Sequence, residues 1–388
     1  MPHFVIHYLS QKLCLIGILF MTRRSSSTQP PLDADSPRWQ LNRAALTAAI
    51  AFLLDASNLL ELRARLTTVR QRLADPNDPL HAPDGQAVLF LPEVLLAELD
   101  QVATAQTLER ARYYVQRLQR ALDGPRFAPA SDIDLHRWKE YDDILTDSLW
   151  LIERRDSSGV HRADYWGNFV PQIPHQFIRR YTRPGEWVLD PFAGSGTTLI
   201  EARRLGRHAL GVELQPAMVQ HVQELLATEP TPHATVAAIE QGDSLTVDFA
   251  DLLARHGARS VQLVFLHPPY YDIIRFSDDP RDLSNAPSIE AFLDRLVSLT
   301  RRVATVLDHE RYLVLVIGDI YRHGEWYPLG FYAMEAIKAC GFRLKSIIVK
   351  NFTSTLGKRG SAELWRYRAL AGGFYVFKHE YIFLLCRR

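Results

Sequence analysis

Cysteine is scarce in this chain of 388 residues, which holds three: Cys14, Cys340 and Cys386. They are isolated, with no CxxC spacing, so neither a disulfide framework nor a structural zinc site organises the fold, and a reducing compartment is expected. A dominant charge is lacking too. Lys and Arg number 45 against 44 Asp and Glu, a net charge of +1, so a polyanionic partner would have to be met by local patches. Repeats and low-complexity arrays are missing. The apolar stretch FVIHYLSQKLCLIGILF (4–20) is interrupted by His7, Gln11 and Lys12 and is too short and mixed for a membrane span. MTRRSSSTQPP follows it, without a small-residue cleavage site. Residues 1–37 therefore read as a disordered or over-called N-terminal extension, with Met21 as an alternative start. No membrane partner and a cytoplasmic location are expected.

What is present divides into two patterns. From 38 to about 75, and again from about 91 to 122, apolar residues recur at helical spacing. DPNDP and HAPDG punctuate the first block, and Asp123-Gly124-Pro125 stops the second. Residues 38–125 are thus expected to form a helical region. From 126 to 388, apolar strand candidates (186–190, 209–213, 261–266, 312–319, 344–351 and 381–387) alternate with helices. Strands that are apolar without clean alternation indicate a sheet buried on both faces. The predicted class is α/β: a doubly wound, mostly parallel, seven-stranded Rossmann-like sheet. The ligand of such a sheet belongs at the carboxyl ends of its strands.

VLDPFAGSGTTLIEA (188–202) reads as strand, glycine turn and helix. Gly194 and Gly196 open the helix, but Leu199 stands where GxGxxG would place a third glycine, and no GK[ST] follows to make a P-loop. Such a turn can still serve a ligand without phosphates, because a missing side chain lets backbone approach closely. Glu213 ends the next strand, about 20 residues on, where an acid binds a ribose diol. Asp243 in QGDSL sits where a third strand should end and could accept from an adenine amino group. A nucleoside with a free diol and no phosphates points to S-adenosylmethionine. Each acid alone is as easily a loop carboxylate or a helix cap.

The second constellation is HPPYY (267–271), directly after VQLVFL. Pro-Pro ends the strand's ladder and forces a stiff extended turn that presents one side chain, one carbonyl and one aromatic ring. Methylating a conjugated amino group needs those parts. Its lone pair is delocalised into the ring, and acceptors for both N–H groups, His267 and the carbonyl of Pro268, make the nitrogen more pyramidal. Tyr270 would stack on an extruded base. A proline-stiffened loop around a satisfied histidine is the plainer alternative.

DPFAGSGTT together with a PPY turn resembles the amino-methylating DNA methyltransferases, which modify N4 of cytosine or N6 of adenine. The resemblance covers about 145–388 and implies site-specific methylation of a flipped base in double-stranded DNA with S-adenosylmethionine as cofactor. It assigns Asp190, Pro191, Phe192, Gly194, Gly196, Thr197, Glu213 and Asp243 to the cofactor, and His267, Pro268, Pro269 and Tyr270 to catalysis. Residues 165–190 look like the segment that in this family closes over the cofactor's methionine end. A restriction endonuclease partner is compatible with the family. This chain departs in two ways: the cofactor turn precedes the PPY turn, and His267 replaces the usual Asp, Asn or Ser. A neutral imidazole still accepts one hydrogen bond while a protonated one does not, so activity is predicted to fall at mildly acidic pH.

From Arg343 onward basic residues far outnumber the acids Glu363 and Glu380. Lys350, Lys358, Arg359, Arg366 and Arg368 lie among aromatics and are expected to contact nucleic acid. Snorkelling surface cations are the alternative. Carbon-5 cytosine methylation is disfavoured, because no cysteine sits at a strand-end turn. An RNA amino-methyltransferase and an inactive fold acting as a nucleic-acid-binding module remain open. A glutamine-amide methyltransferase is opposed by His267 and the basic tail. No metal is expected.

Overall fold

The computed structural model describes residues 38–82, 87–162, 167–230, 232–352 and 362–388. The readings of residues 1–37, Lys358 and Arg359 fall outside them. Arg38–Arg388 pack as one compact unit.

The N-terminal third is helical, with more breaks than the spacing predicts. A short strand β1 (Trp39–Leu41) precedes α1 (Arg43–Leu54) and α2 (Leu59–Ala74); β2 (Val88–Phe90), α3 (Pro92–Thr104) and α4 (Leu108–Asp123) follow. β1 and β2 pair antiparallel. The breaks fall where short polar side chains cap the next helix. Asn58 accepts from the N–H of Glu61 at 2.9 Å, and Thr107 from that of Arg110 at 3.1 Å. The block from 91 to 122 is therefore two helices. Leu41, Leu46, Ile50, Leu62, Leu99 and Val115 belong to a core drawn from residues 41–122 alone.

Beyond it, β3 (Leu149–Trp150), α5 (Gln172–Tyr181), β4 (Trp187–Asp190), α6 (Thr197–Arg204), β5 (His208–Glu213), α7 (Pro216–Thr228), β6 (Ala237–Gln241) and α8 (Phe249–Arg255) are followed by β7 (Val261–Leu266) and α9 (Ile289–Val306). The chain continues through β8 (Leu307–Ile317), a small ribbon of β9 (Ile320–Arg322) and β10 (Glu325–Tyr327), α10 (Leu329–Lys338), β11 (Phe342–Asn351), α11 (Ala362–Gly372) and β12 (His379–Arg387). The main sheet has the order β3-β11-β12-β8-β7-β4-β5-β6. Only β12 runs antiparallel to its neighbours. Seven strands were expected; the eighth is β3, two residues long, paired parallel to β11.

Successive residues of each central strand serve opposite cores, as a period of two requires. Val188, Leu263 and Val314 pack with α5, α6 and α7, whereas Leu189, Val264 and Leu313 pack with α8, α9 and α10. The sheet is thus buried on both faces, which explains its unbroken apolar runs. From β4 the chain winds outward to β5 and β6, then returns to β7 on the other side of β4. The reversal opens a crevice beyond the carboxyl ends of β4 and β7, where ligands of such sheets bind.

Candidate active site at the sheet switch point

β4 ends in Asp190, and the chain turns through Pro191 to Gly196 before α6 begins. Gly194 and Gly196 have φ of 48° and 74°, the left-handed region that favours glycine. A Cβ on Gly196 would lie 2.6 Å from Cγ1 of Val222 in α7. The turn is tied to the next strand as well. Glu213 Oε2 accepts from the Gly194 N–H at 3.0 Å, and its Oε1 from Gln215 N–H at 2.9 Å. Burial raises the Glu213 carboxyl. Burial also pushes Asp190 up, to about 6. Its Oδ1 accepts from Phe192 N–H at 3.0 Å.

The missing third glycine has a packing explanation. That glycine normally permits close approach of helix and strand. Here the space comes from the strand: a Cβ on Gly211 of β5 would meet Ala193 Cβ at 2.7 Å and Leu199 Cδ1 at 3.0 Å. Leu199 is fully buried and fills the gap left by Gly211.

Of the expected residues of both constellations, all but Asp190 and Gly196 open on one cavity of about 970 Å³. Pro191, Phe192, Gly194, Thr197, Glu213 and Asp243 line one side, and His267, Pro268, Pro269 and Tyr270 the other. Gly196 is not in the lining; it shapes the turn behind. Asp243 Oδ1 accepts from Leu245 N–H at 2.9 Å and so caps its own loop. Asn168 and Phe169 join the lining from the expected upstream segment. Thr197 Oγ1 donates to Asn168 Oδ1 at 2.8 Å, tying that segment to α6. Of that segment, residues 163–166 lie outside the described ones.

At the β7 end, His267 is held edge-on by Phe169, ring centres 4.7 Å apart. Burial lowers the imidazole to about 4. The predicted loss of its acceptor role at mildly acidic pH is therefore displaced to stronger acid. His267 Nε2 lies 3.3 Å from the Tyr270 hydroxyl, which donates to Glu380 Oε2 at 2.8 Å. Lys350 Nζ donates to Glu380 Oε1 at 2.9 Å. Lys350 was expected among the nucleic-acid contacts. It is 6% exposed instead, at a cross-strand position directly opposite Glu380, so its charge is spent inside the protein. Burial would raise Glu380, but the Lys350 ammonium holds it below the usual range.

Sequence reasoning passed over Glu380, and a signal existed. Ile382 and Leu384 follow at the period of two, so an acid in register with them faces the core. Arg366 and Arg368 are exposed on α11, which was not foreseen as a helix. Arg368 lies over the Trp365 ring, 5.1 Å from its centre. Trp365, Phe374 and Tyr321 also line the cavity, the last two stacked at 4.2 Å.

A second buried polar cluster lies behind α6. Asp156, His161 and Glu201 bring donor atoms within 4.8 Å of one another. The Glu201 oxygens are already engaged by His161 Nε2 at 2.7 Å and His175 Nδ1 at 2.8 Å, with Arg204 at 3.4 Å. Burial would lower His175, yet its hydrogen bonds to Asp143 and Glu201 raise it to about 9. The carboxylate thus has cationic partners already and reads as a brace between α5 and α6.

The family model for DNA methylases matches residues 110–224, from α4 through the glycine turn to α7. Among curated relatives, the Type II methyltransferase M.MjaII of Methanocaldococcus jannaschii is 38% identical over 75 residues, 19% of this chain and 14% of that protein. M.MthZI of Methanothermobacter thermautotrophicus is 32% identical over 102 residues, 24% of this chain and 28% of its own length. M2.DpnII of Streptococcus pneumoniae is 30% identical over 101 residues, 25% and 34%. The chain thus spans 14% to 34% of the length of these relatives. Among solved structures, TrmN from Thermus thermophilus aligns over 91% of this chain and 81% of its own at 15% identity, with a TM-score of 0.38. That adds nothing to the sheet order already described.

Proposed function

We propose that the protein methylates the exocyclic amino group of a cytosine or adenine in DNA, with S-adenosylmethionine as the methyl donor. The observation that carries this reading is the meeting of the glycine turn and the HPPY turn on one cavity at the switch point. The residues fit the cofactor: a turn of left-handed glycines, a buried carboxylate at the end of β5, and no basic cluster for phosphates among the turn's residues. When bound, it supplies an electrophilic methyl group.

The chain's own residues do the rest. Gly194 lets backbone approach the donor, with Gly196 shaping the turn behind it, Glu213 meets the ribose hydroxyls, and Asp243 meets the adenine edge. The target amino group lies between His267 and the Pro268 carbonyl, which accept its two N–H bonds and turn its lone pair outward. Tyr270 stacks on the base, and the cavity's aromatic lining shelters it from the duplex. Exposed Arg366 and Arg368 meet phosphates beside the cavity.

Genomic DNA from cells with and without the gene, digested and analysed for modified nucleosides, tests the reading. N4-methylcytosine or N6-methyladenine appearing only with the gene is the expected result. Unchanged DNA beside newly methylated RNA would replace the DNA substrate with RNA.

A further inference from the structure

We propose that Glu380 and Tyr270 fix the tautomer of His267, with the proton on Nε2 and Nδ1 left bare as the ring's acceptor. The role given to Nδ1 rests on the methyl-transfer reading; the tautomer itself rests on geometry alone.

A neutral imidazole carries one N–H and one lone pair, and only the lone pair can receive an amino proton. An Asp, Asn or Ser side chain offers an acceptor oxygen whatever its neighbours do. A histidine at the same place is correct in one tautomer and wrong in the other, so the departure from the family's usual residue needs something to choose. The chooser is the single proton of the Tyr270 hydroxyl. It lies between Glu380 Oε2 at 2.8 Å and His267 Nε2 at 3.3 Å, and it can serve only one of them. Glu380 is ionised, because Lys350 pairs with its other oxygen at 2.9 Å. A hydroxyl donating to a carboxylate makes the shorter and stronger bond. The Tyr270 oxygen is then free only to accept, and Nε2 must carry the proton. Nδ1 has no hydrogen-bond partner among the described residues, and His267 lines the cavity.

The same chain of groups handles charge. As the methylated amine gives up its proton, one N–H bond breaks at the amine and one forms at Nδ1. The imidazolium so formed donates Nε2–H to Tyr270, whose hydroxyl remains bound to the Glu380 carboxylate. Glu380, Tyr270 and Lys350 are the titratable groups facing the ring from β11, β12 and the HPPY turn. Glu380 and Lys350 are positioning residues, acting on the substrate only through His267.

Long-range proton–nitrogen NMR on full-length protein labelled with ¹⁵N-histidine reads the tautomer directly, with His267→Asn identifying the resonance. The wild type should show a protonated Nε2 and a bare Nδ1. In Glu380→Gln the amide oxygen keeps Lys350 and the amide NH₂ donates to Tyr270, so the hydroxyl turns to Nε2. The tautomer inverts, and methyl transfer falls by roughly 100-fold while cofactor affinity stays unchanged. Tyr270→Phe, which removes only the hydroxyl, should leave a mixture of tautomers and serves if the glutamine variant does not fold. A wild-type Nδ1–H, or a tautomer unmoved in either folded variant, would overturn the proposal. A wild type with the stated tautomer that methylates no DNA would overturn the methyl-transfer reading and leave the tautomer assignment standing.

Discussion

The two walls of the cavity are built from different materials. The wall at β4 and β5 is mostly backbone: left-handed glycines, an N–H bonded to Glu213, and a strand glycine that lets Leu199 close the gap. The wall at β7, β11 and β12 is a side-chain circuit, in which Tyr270 bonds Glu380 from 110 residues away. The first kind is specified by contiguous residues and tolerates little change of shape. The second is specified by pairing across strands and can hold a different first residue, His267, provided its partners adapt.

That contrast can be broken from either side. The largest expected effect lies in the side-chain wall. Lys350→Met leaves the Glu380 carboxylate buried without its ammonium and should cost about 3–5 kcal/mol, read as a lower midpoint in denaturant at unchanged slope. A loss confined to activity, with stability intact, would mean the pair is not buried as described. In the backbone wall, Gly196→Ala combines a left-handed φ of 74° with a Cβ 2.6 Å from Val222. It should cost about 1–3 kcal/mol and weaken cofactor binding by about tenfold or more in calorimetry.

The pH dependence sharpens the same distinction. Burial lowers His267 from its ordinary 6.5 to about 4. The unfolded chain therefore binds this proton at a pH where the folded one does not. Its contribution to stability is present above about 6.5, declines as the pH falls from there, and reaches its full loss near 4. The acceptor itself survives over that interval. Methyl transfer by the folded protein should thus lose this group only near pH 4; a step near 6.5 that disappears in His267→Asn would show the ring to be solvated. The smallest effect belongs to the rim. Arg366→Ala or Arg368→Ala should weaken DNA binding evenly across sequences and reduce the salt slope by about one each, measured by titration at several salt concentrations.

How much was legible follows from the same contrast. The doubly wound sheet, the glycine turn and the HPPY turn could be read because each is a local pattern of period and punctuation. β3 escaped because two residues carry no periodicity, and the breaks at Asn58 and Thr107 escaped because caps inside a helical pattern are easily passed over. Lys350 was misplaced on the surface because its partner is a strand neighbour 30 residues on, and composition alone counted it among basic residues near the C-terminus. The brace of His161, His175 and Glu201 is spread over 40 residues and left no pattern in the chain.

The most direct measurement is transfer of an isotopically labelled methyl group from S-adenosylmethionine to duplex DNA, followed by mass spectrometry of the nucleosides, for the wild type, His267→Asn and His267→Ala. The account predicts label on the exocyclic nitrogen of cytosine or adenine with the wild type. Transfer should be largely retained with Asn and lost by roughly 100-fold with Ala, all three binding the cofactor equally. Equal transfer by wild type and His267→Ala, or label absent from DNA throughout, would contradict it.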